Sequence, residues 1–247
     1  MPELLVFITG LIIGSFLNVV IYRLPRNESI VFPASHCPEC GTRLRVPDLV
    51  PVVSFLIYRG RCRYCRSRIS RQYLAVELST GILLLLLFIN YDFTAVFFVY
   101  SLLSCLLLVC SVIDLQEMII PNKITYPGIV LGLSLTLLTG HQTLVSSLLG
   151  IIIPGGLLFL IAVFYQKGLG FGDVKLIAMI GAFAGWLSAL VGLFLGSLMG
   201  TIFCLPFILT GSLDRKTRIP FGPLISLGAV MMLIWGEYII NIYLGLL

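Results

Sequence analysis

"GILLLLLFINYDFTAVFFVYSLLSCLLLVCSVID", residues 81 to 114, decides what kind of protein this is. Two apolar runs flank a short turn around Asp92, and neither run carries a basic residue. With the residues just upstream, each approaches the roughly 20 residues that a membrane-crossing helix needs. The same template, carried outward, places about eight helices at 3–22, 74–90, 94–113, 124–139, 144–165, 175–187, 188–209 and 221–246. The turn between the sixth and seventh has to fall in the Gly/Ala/Trp run 181–187. Composition agrees: of 247 residues, 59% are hydrophobic and 11% charged, and the mean hydropathy is +1.08. So little charge excludes a soluble domain of this length. The expected fold class is therefore all-α, a polytopic membrane protein with one small polar insert. Residues 1–22 are expected to form a retained first span, since no basic segment precedes them and no small-residue cleavage site follows.

Charge sets the expected orientation. All 16 Lys and Arg fall in residues 23–71 (ten of them), at Lys123, at Lys167 with Lys175, and at Arg215, Lys216 and Arg218. With eight spans these four places share one side, while the connections near Asp92, His141 and Trp186 have no basic residue. The positive-inside rule makes the basic side cytoplasmic and puts both termini outside. The net charge of +5 then reflects topology and not nucleic-acid binding.

Residues 23–73 form the expected cytoplasmic insert, and residues 74–247 the remaining membrane core. The insert carries "CPEC" at 37–40 and "CRYC" at 62–65. Two CxxC pairs suit a four-thiolate zinc site of Cys37, Cys40, Cys62 and Cys65, each pair supplying two sulfurs at tetrahedral spacing. Gly41 suits the turn after the first pair, and Arg66 holds the matching place after the second. About 50 residues bury little core, so a metal staple is physically reasonable. Disulfides or unpaired thiols are the alternatives, and a cytoplasmic location argues against disulfides. Four thiolates leave no open position, which makes the zinc structural. His36 reads as a surface histidine, and Cys105, Cys110 and Cys204 read as small packing residues inside spans.

Two acids stand at span ends on the cytoplasmic side: Asp114 in "SVIDLQEMIIPNK" and Asp173 in "GFGDVK". A carboxylate near hydrocarbon is costly unless partnered or hydrated, which marks both as functional candidates. Two carboxylates in contact share a proton, so one can activate water while the other polarises a peptide carbonyl. Gly168, Gly170 and Gly172 remove side chains beside Asp173 and would let an extended substrate backbone approach. The competing reading is a loop whose aspartate caps the next helix. A phosphate loop is a poor reading, because "GLGFGD" lacks the third glycine position of GxGxxG and no βαβ unit surrounds it. Glu117 lies three residues from Asp114 and would be an auxiliary if the helix continued, which Pro121 limits. Lys175 is expected to face away from Asp173 and snorkel to headgroups. Glu237 falls toward the outer half of the last span, away from this site. Gly132, Gly192, Gly196 and Gly200 read as helix-packing contacts.

These residues together resemble the type IV prepilin peptidases, membrane aspartic proteases of the GxGD kind. "GSFLNVVIYRLP" (14–25) resembles the family's opening segment, and "CPECG", "DLVPVVSFLIYRGRCRYC" and "YLAVEL" resemble its zinc insert. "GFGDVKL" matches GxGD, and "IPFGP" (219–223) resembles the last cytoplasmic segment. The resemblance implies that Asp114 and Asp173 are the catalytic pair and that the four cysteines hold Zn2+. It implies a bacterial cell-membrane enzyme whose partners are prepilin or pseudopilin precursors. These carry a basic leader ending in Gly, then an apolar helix lying in the lipid bilayer, and are cut after the Gly on the cytoplasmic face. Members with this tetracysteine insert also methylate the new N-terminus with S-adenosylmethionine, though no dinucleotide-type glycine loop marks where the donor would bind. Asn122 follows Pro121 where relatives carry Asp or Asn. Other readings are a peptidase without methyl transfer, a transporter in which membrane-edge acids relay ions, and a membrane-anchored zinc module that recruits a partner. Against the transporter, only Glu77 is a candidate mid-membrane charge, and no inverted repeat is evident.

Overall fold

In the computed structural model, residues 1–164, 170–209 and 219–245 are described. Lys167, Gly168, Arg215, Lys216 and Arg218 lie outside them. The described residues are helical apart from turns and two isolated bridges. The helices are α1 (Pro2–Arg23), α2 (Val53–Ile57), α3 (Arg71–Tyr91), α4 (Ala95–Glu117), α5 (Asn122–Thr139), α6 (Leu144–Phe164), α7 (Phe171–Leu209) and α8 (Gly222–Gly245). Five of them, α1, α3, α4, α6 and α7, are long and apolar enough to cross a membrane, and α8 carries a shorter apolar stretch, Gly222–Gly236. The protein is therefore a multi-pass membrane protein. Its chain divides into two compact units, Met1–Asp92 and Phe93–Leu247.

In the first unit, α1 and α3 pack side by side because both present small residues at the crossing. A Cβ on Gly10 would come 2.7 Å from the Gly81 Cα, and one on Gly14 would come 2.7 Å from the Glu77 Cα. Lipid tails are as apolar as leucine, so close backbone approach of this kind, not hydrophobic burial, holds spans together. Asn18 adds a hydrogen bond, its side-chain amide donating to the Tyr73 carbonyl at 3.0 Å. The opposite face of α1 (Leu4, Leu5, Ile8, Ile12, Phe16) is exposed and as apolar as its core, which suits lipid contact. Ser70 caps α3, its hydroxyl accepting from the Gln72 amide at 3.3 Å.

In the second unit, α7 packs against α4, α5, α6 and α8. Its first half is the most enclosed part of the chain: Leu176, Ile177, Met179, Ile180, Ala182 and Phe183 are all buried. Small residues again set the approach. A Cβ on Gly132 would strike the Phe183 ring at 2.6 Å, and one on Gly150 would meet the Gly181 carbonyl at 2.6 Å. Gly192 lies against Ala229, while Gly196 and Gly200 lie against Leu224, so the four glycines expected to pack helices do so. Cys110 and Cys204 are buried inside their helices, as small packing residues should be.

α7 is not one straight helix. Gly185 has φ 78° and ψ 173°, which breaks it inside the 181–187 run where the turn between two spans is expected. The break frees carbonyls at the end of the first limb, and the α5–α6 turn supplies their donors. His141 Nε2 donates to the Phe183 carbonyl at 2.9 Å, and Gln142 Nε2 donates to the same oxygen at 3.0 Å. Gln142 also donates to Ser147 Oγ at 2.7 Å, and that hydroxyl meets Thr136 Oγ1 at 3.1 Å. Buried carbonyls without partners would cost several kcal/mol in a membrane, so this polar cluster is what permits the break.

Candidate active site and metal centre

Asp114 stands one turn before the end of α4, not at its end, because the helix runs on to Glu117 before Met118 turns left-handed (φ 53°). Asp114 is 6% exposed, whereas Glu117 is exposed. The helix does continue past Asp114, yet that separation leaves Glu117 out of the buried site. The partner of Asp114 comes from 108 residues away: the Gly222 amide, opening α8, donates to its Oδ2 at 3.0 Å. A Cβ at Gly222 would sit 2.7 Å from that oxygen, so a residue with a side chain does not fit there without moving the carboxylate. Gly222 belongs to the "IPFGP" segment quoted above, whose resemblance to a family segment does not by itself specify a carboxylate donor. A Gly-Pro pair at a helix start is the only trace of it in the sequence.

Asp173 is the third residue of α7 and is 8% exposed. It does not occupy the cap position itself. Its own amide donates to the Gly170 carbonyl at 3.1 Å, and its carboxylate folds back to the Gly170 backbone. The expected capping role therefore survives in altered form, as a first-turn acid reaching back to the helix start. Gly170 is exposed and its open side faces Asp173 Oδ2, 3.6 Å from where a Cβ would stand. Gly172 has a second reason to lack a side chain, since a Cβ there would come 3.1 Å from the Ile120 Cβ. Ile120 also lies 3.2 Å from where a Gly222 Cβ would be, so one side chain touches the surroundings of both acids. Asp114 and Asp173 lie within electrostatic reach of each other. The fold thus brings the two acids to one place although 59 residues separate them.

Lys175 does not snorkel away. Its Nζ donates to Asn122 Oδ1 at 2.7 Å and stands 5.1 Å from the Tyr126 ring centre, tying the start of α7 to the start of α5. Asn122, unremarked as a contact in the sequence, is the reason. Glu77 is buried within α3, and its Oε2 accepts from the Val52 amide at 2.7 Å, which anchors α2 to the span.

The insert holds the second site. The sulfurs of Cys37, Cys40, Cys62 and Cys65 all lie within 4.8 Å of one another, and Cys37 Sγ and Cys65 Sγ are 3.9 Å apart. A tetrahedral ion with metal–sulfur bonds near 2.3 Å has edges of about 3.8 Å, so the four fit one metal. None is in a disulfide. The two knuckles repeat one construction. Gly41 and Arg66 both take positive φ (67° and 58°), and their amides donate to the Cys37 and Cys62 carbonyls at 2.9 and 3.0 Å. Bridges His36–Arg43 and Arg61–Arg68 close the two turns. A hydrogen bond from the Ser67 hydroxyl, 3.1 Å away, pulls the Cys65 thiol down to about 6, toward the thiolate a metal needs. His36 faces the Ala34 carbonyl at 3.1 Å and is not in the sulfur cluster. Asp48 braces the second knuckle, accepting from the Tyr64 hydroxyl and the Arg45 amide, each at 3.0 Å.

Fold and sites define a multi-pass helical membrane protein with a buried aspartate pair at helix ends and a separate cluster of four cysteine sulfurs spaced to hold one metal ion. A family model for the bacterial peptidase A24 N-terminal domain matches residues 8–91, and one for the type IV leader peptidase family matches residues 101–205, one in each compact unit. A prepilin leader peptidase/N-methyltransferase of Bacillus subtilis is 34% identical over 97% of this chain and 97% of its own. Proteins of the same name from Aeromonas salmonicida and Pseudomonas aeruginosa are each 32% identical, over 98% and 95% of this chain and 93% and 91% of their own. No solved structure matches the chain. The chain belongs to the type IV leader peptidase family and is a membrane peptidase. Membership sets aside the transporter and the bare zinc module.

Proposed function

We propose that Asp114 and Asp173 are the catalytic pair of an aspartic endopeptidase that removes the leader from type IV prepilin-like precursors. The observation that carries this is the convergence of two buried acids from distant helices, next to an exposed glycine that leaves room for a peptide backbone. One carboxylate takes a proton from water, the water attacks the scissile carbonyl, and the other, protonated, donates to its oxygen. The Gly222 amide, donating to its Oδ2, holds Asp114 in one orientation. Gly170 and Gly172 form the approach for the extended substrate, which enters with its basic leader on the cytoplasmic side and its apolar helix in the bilayer. Cleavage follows the leader's terminal Gly.

The four cysteines hold a structural Zn2+, supported by the sulfur geometry and the repeated knuckle turns. The names of the relatives support a second activity, transfer of a methyl group from S-adenosylmethionine to the new N-terminus. The chain crosses the bacterial cell membrane eight times, with α5, the two limbs of α7 and α8 joining α1, α3, α4 and α6. Both termini lie outside, and the insert and the aspartates lie on the cytoplasmic side, which the one-sided placement of Lys and Arg supports.

The test is mass spectrometry of a pilin-type precursor incubated with purified wild type, Asp114→Asn and Asp173→Asn, with and without S-adenosylmethionine. Leader loss by wild type alone is expected, and one added methyl mass when the donor is present. Leader loss by both variants would overturn the aspartate mechanism.

A further inference from the structure

The insert contains a feature that peptide cleavage does not use. A cavity of about 740 Å³ opens beside the second knuckle, floored by Phe55 and Ile69 and rimmed by Arg59, Arg61, Arg68 and Arg71. None of these four arginines makes an ion pair among the described residues; the only lateral pair in the insert is Arg63 with Asp48. Arg61 and Arg68 are paired across an isolated backbone bridge, which sets two like charges on opposed positions of one turn. The whole stretch 23–71 carries ten Lys and Arg against three acids, Glu28, Glu39 and Asp48.

Position narrows the choice of anion. Arg71 is the first residue of α3, a span, so the cavity sits where the chain enters the membrane. Beside it, α2 turns Val53, Leu56 and Ile57 outward, 50%, 63% and 68% exposed, on a helix too short to form a hydrophobic core of its own. Exposed apolar side chains next to unpaired arginines are what a surface needs to rest in the headgroup layer: the arginines meet phosphate and the apolar groups reach the acyl border. Glu77, buried in α3 and holding the Val52 amide, fixes α2 against the span from which this surface projects.

We propose that this arginine-rimmed cavity binds the phosphate of an anionic phospholipid, with Val53, Leu56 and Ile57 seated in the same leaflet, so that the insert docks on the membrane. Guanidinium groups suit this ligand because each offers paired donors to a phosphate.

The test compares the full-length, metal-loaded protein in bilayer discs of phosphatidylcholine alone and in discs doped with phosphatidylglycerol, reading amide hydrogen exchange over residues 53–61. Exchange about tenfold slower in the anionic discs is expected, with the gap closing at high salt. The triple variant Arg59→Gln/Arg61→Gln/Arg68→Gln loses the gap, while the corresponding triple Lys variant keeps it. The wild-type comparison between discs needs no variant to fold, and metal content checks the variants. Equal exchange in the two discs, or a gap that survives in the Gln variant, overturns the proposal. So does equal protection in detergent by inorganic phosphate alone, which would make the cavity a site for a free anion.

Discussion

The two sites of this protein are assembled in opposite ways. The sulfur site is local: each knuckle contributes two sulfurs three residues apart and closes on its own backbone hydrogen bonds. The aspartate site is not: its acids lie on α4 and α7, its fixed amide on α8, and the side chain packed against it, Ile120, in the α4–α5 turn. A site of the first kind depends on turns and a metal, and a site of the second kind on helix packing. The two should therefore fail under different insults.

The largest expected contrast is in activity. Asp114→Asn and Asp173→Asn each lower leader cleavage by about 10³-fold or more, the scale of losing acid–base chemistry. Both leave metal content and the thermal transition near wild type, since Asn keeps the shape of the side chain. Cys62→Ser does the reverse: bound zinc is lost and residues 36–68 become protease-sensitive, because a small metal domain draws its folding energy from the ion. Cleavage of precursor by the Cys62→Ser protein stays within about tenfold of wild type if the aspartate site is independent of the insert. Zinc analysis, limited proteolysis and cleavage rates on the same preparations read all three effects, and a Cys62→Ser protein as dead as Asp173→Asn would break the contrast.

Gly222→Ala is intermediate. The new methyl would stand 2.7 Å from Asp114 Oδ2 and 3.3 Å from its Cγ, so the carboxylate has to move. A displacement of that order costs about 10- to 100-fold in rate, read as a lower kcat with little change in stability.

Those expectations follow from geometry that the sequence carried unevenly. The clustering of Cys37, Cys40, Cys62 and Cys65 was legible because the spacing within a CxxC pair is a property of adjacent residues. The helical, membrane-crossing class was legible because apolar length needs no knowledge of partners. The break near residues 181–187 was legible as composition, but its support by His141 and Gln142 was not, since those donors lie some 40 residues upstream. Asp114 and Asp173 stood out as acids at span ends. That the Gly222 amide would hold one of them, or that Asn122 would hold Lys175, depends on how α8 and α5 pack, which periodicity does not specify. α4 ran past its expected end because the left-handed turn at Met118, not Pro121, stops it.

The support of the α7 break is a further place to press on packing alone. Gln142→Leu removes one of two donors to the Phe183 carbonyl and the donor to Ser147, at a cost of about 1–3 kcal/mol. His141 remains on Phe183, so the protein stays folded with a lower thermal midpoint, and metal binding is unchanged. Adding His141→Ala leaves the carbonyl without a side-chain donor, and the loss should exceed the sum of the two single changes.

The smallest effect tests the repeat within the metal site itself. Arg66 and Gly41 hold the same left-handed turn, yet only one of them is the residue that adopts it freely. Arg66→Gly relieves that conformation but loosens the unfolded chain, and the two terms nearly cancel, leaving a gain of about 1 kcal/mol at most. Gly41→Arg carries the opposite sign. Nothing lies within 4 Å of where its Cβ would stand, so the cost is conformational alone, about 1 kcal/mol, and not steric. Zinc competition with a chelator should therefore rank Arg66→Gly at or slightly above wild type and Gly41→Arg about fivefold below it. If instead the two substitutions shift affinity in the same direction, the turns are not equivalent, and what Arg66 contributes to the second knuckle must come from its side chain.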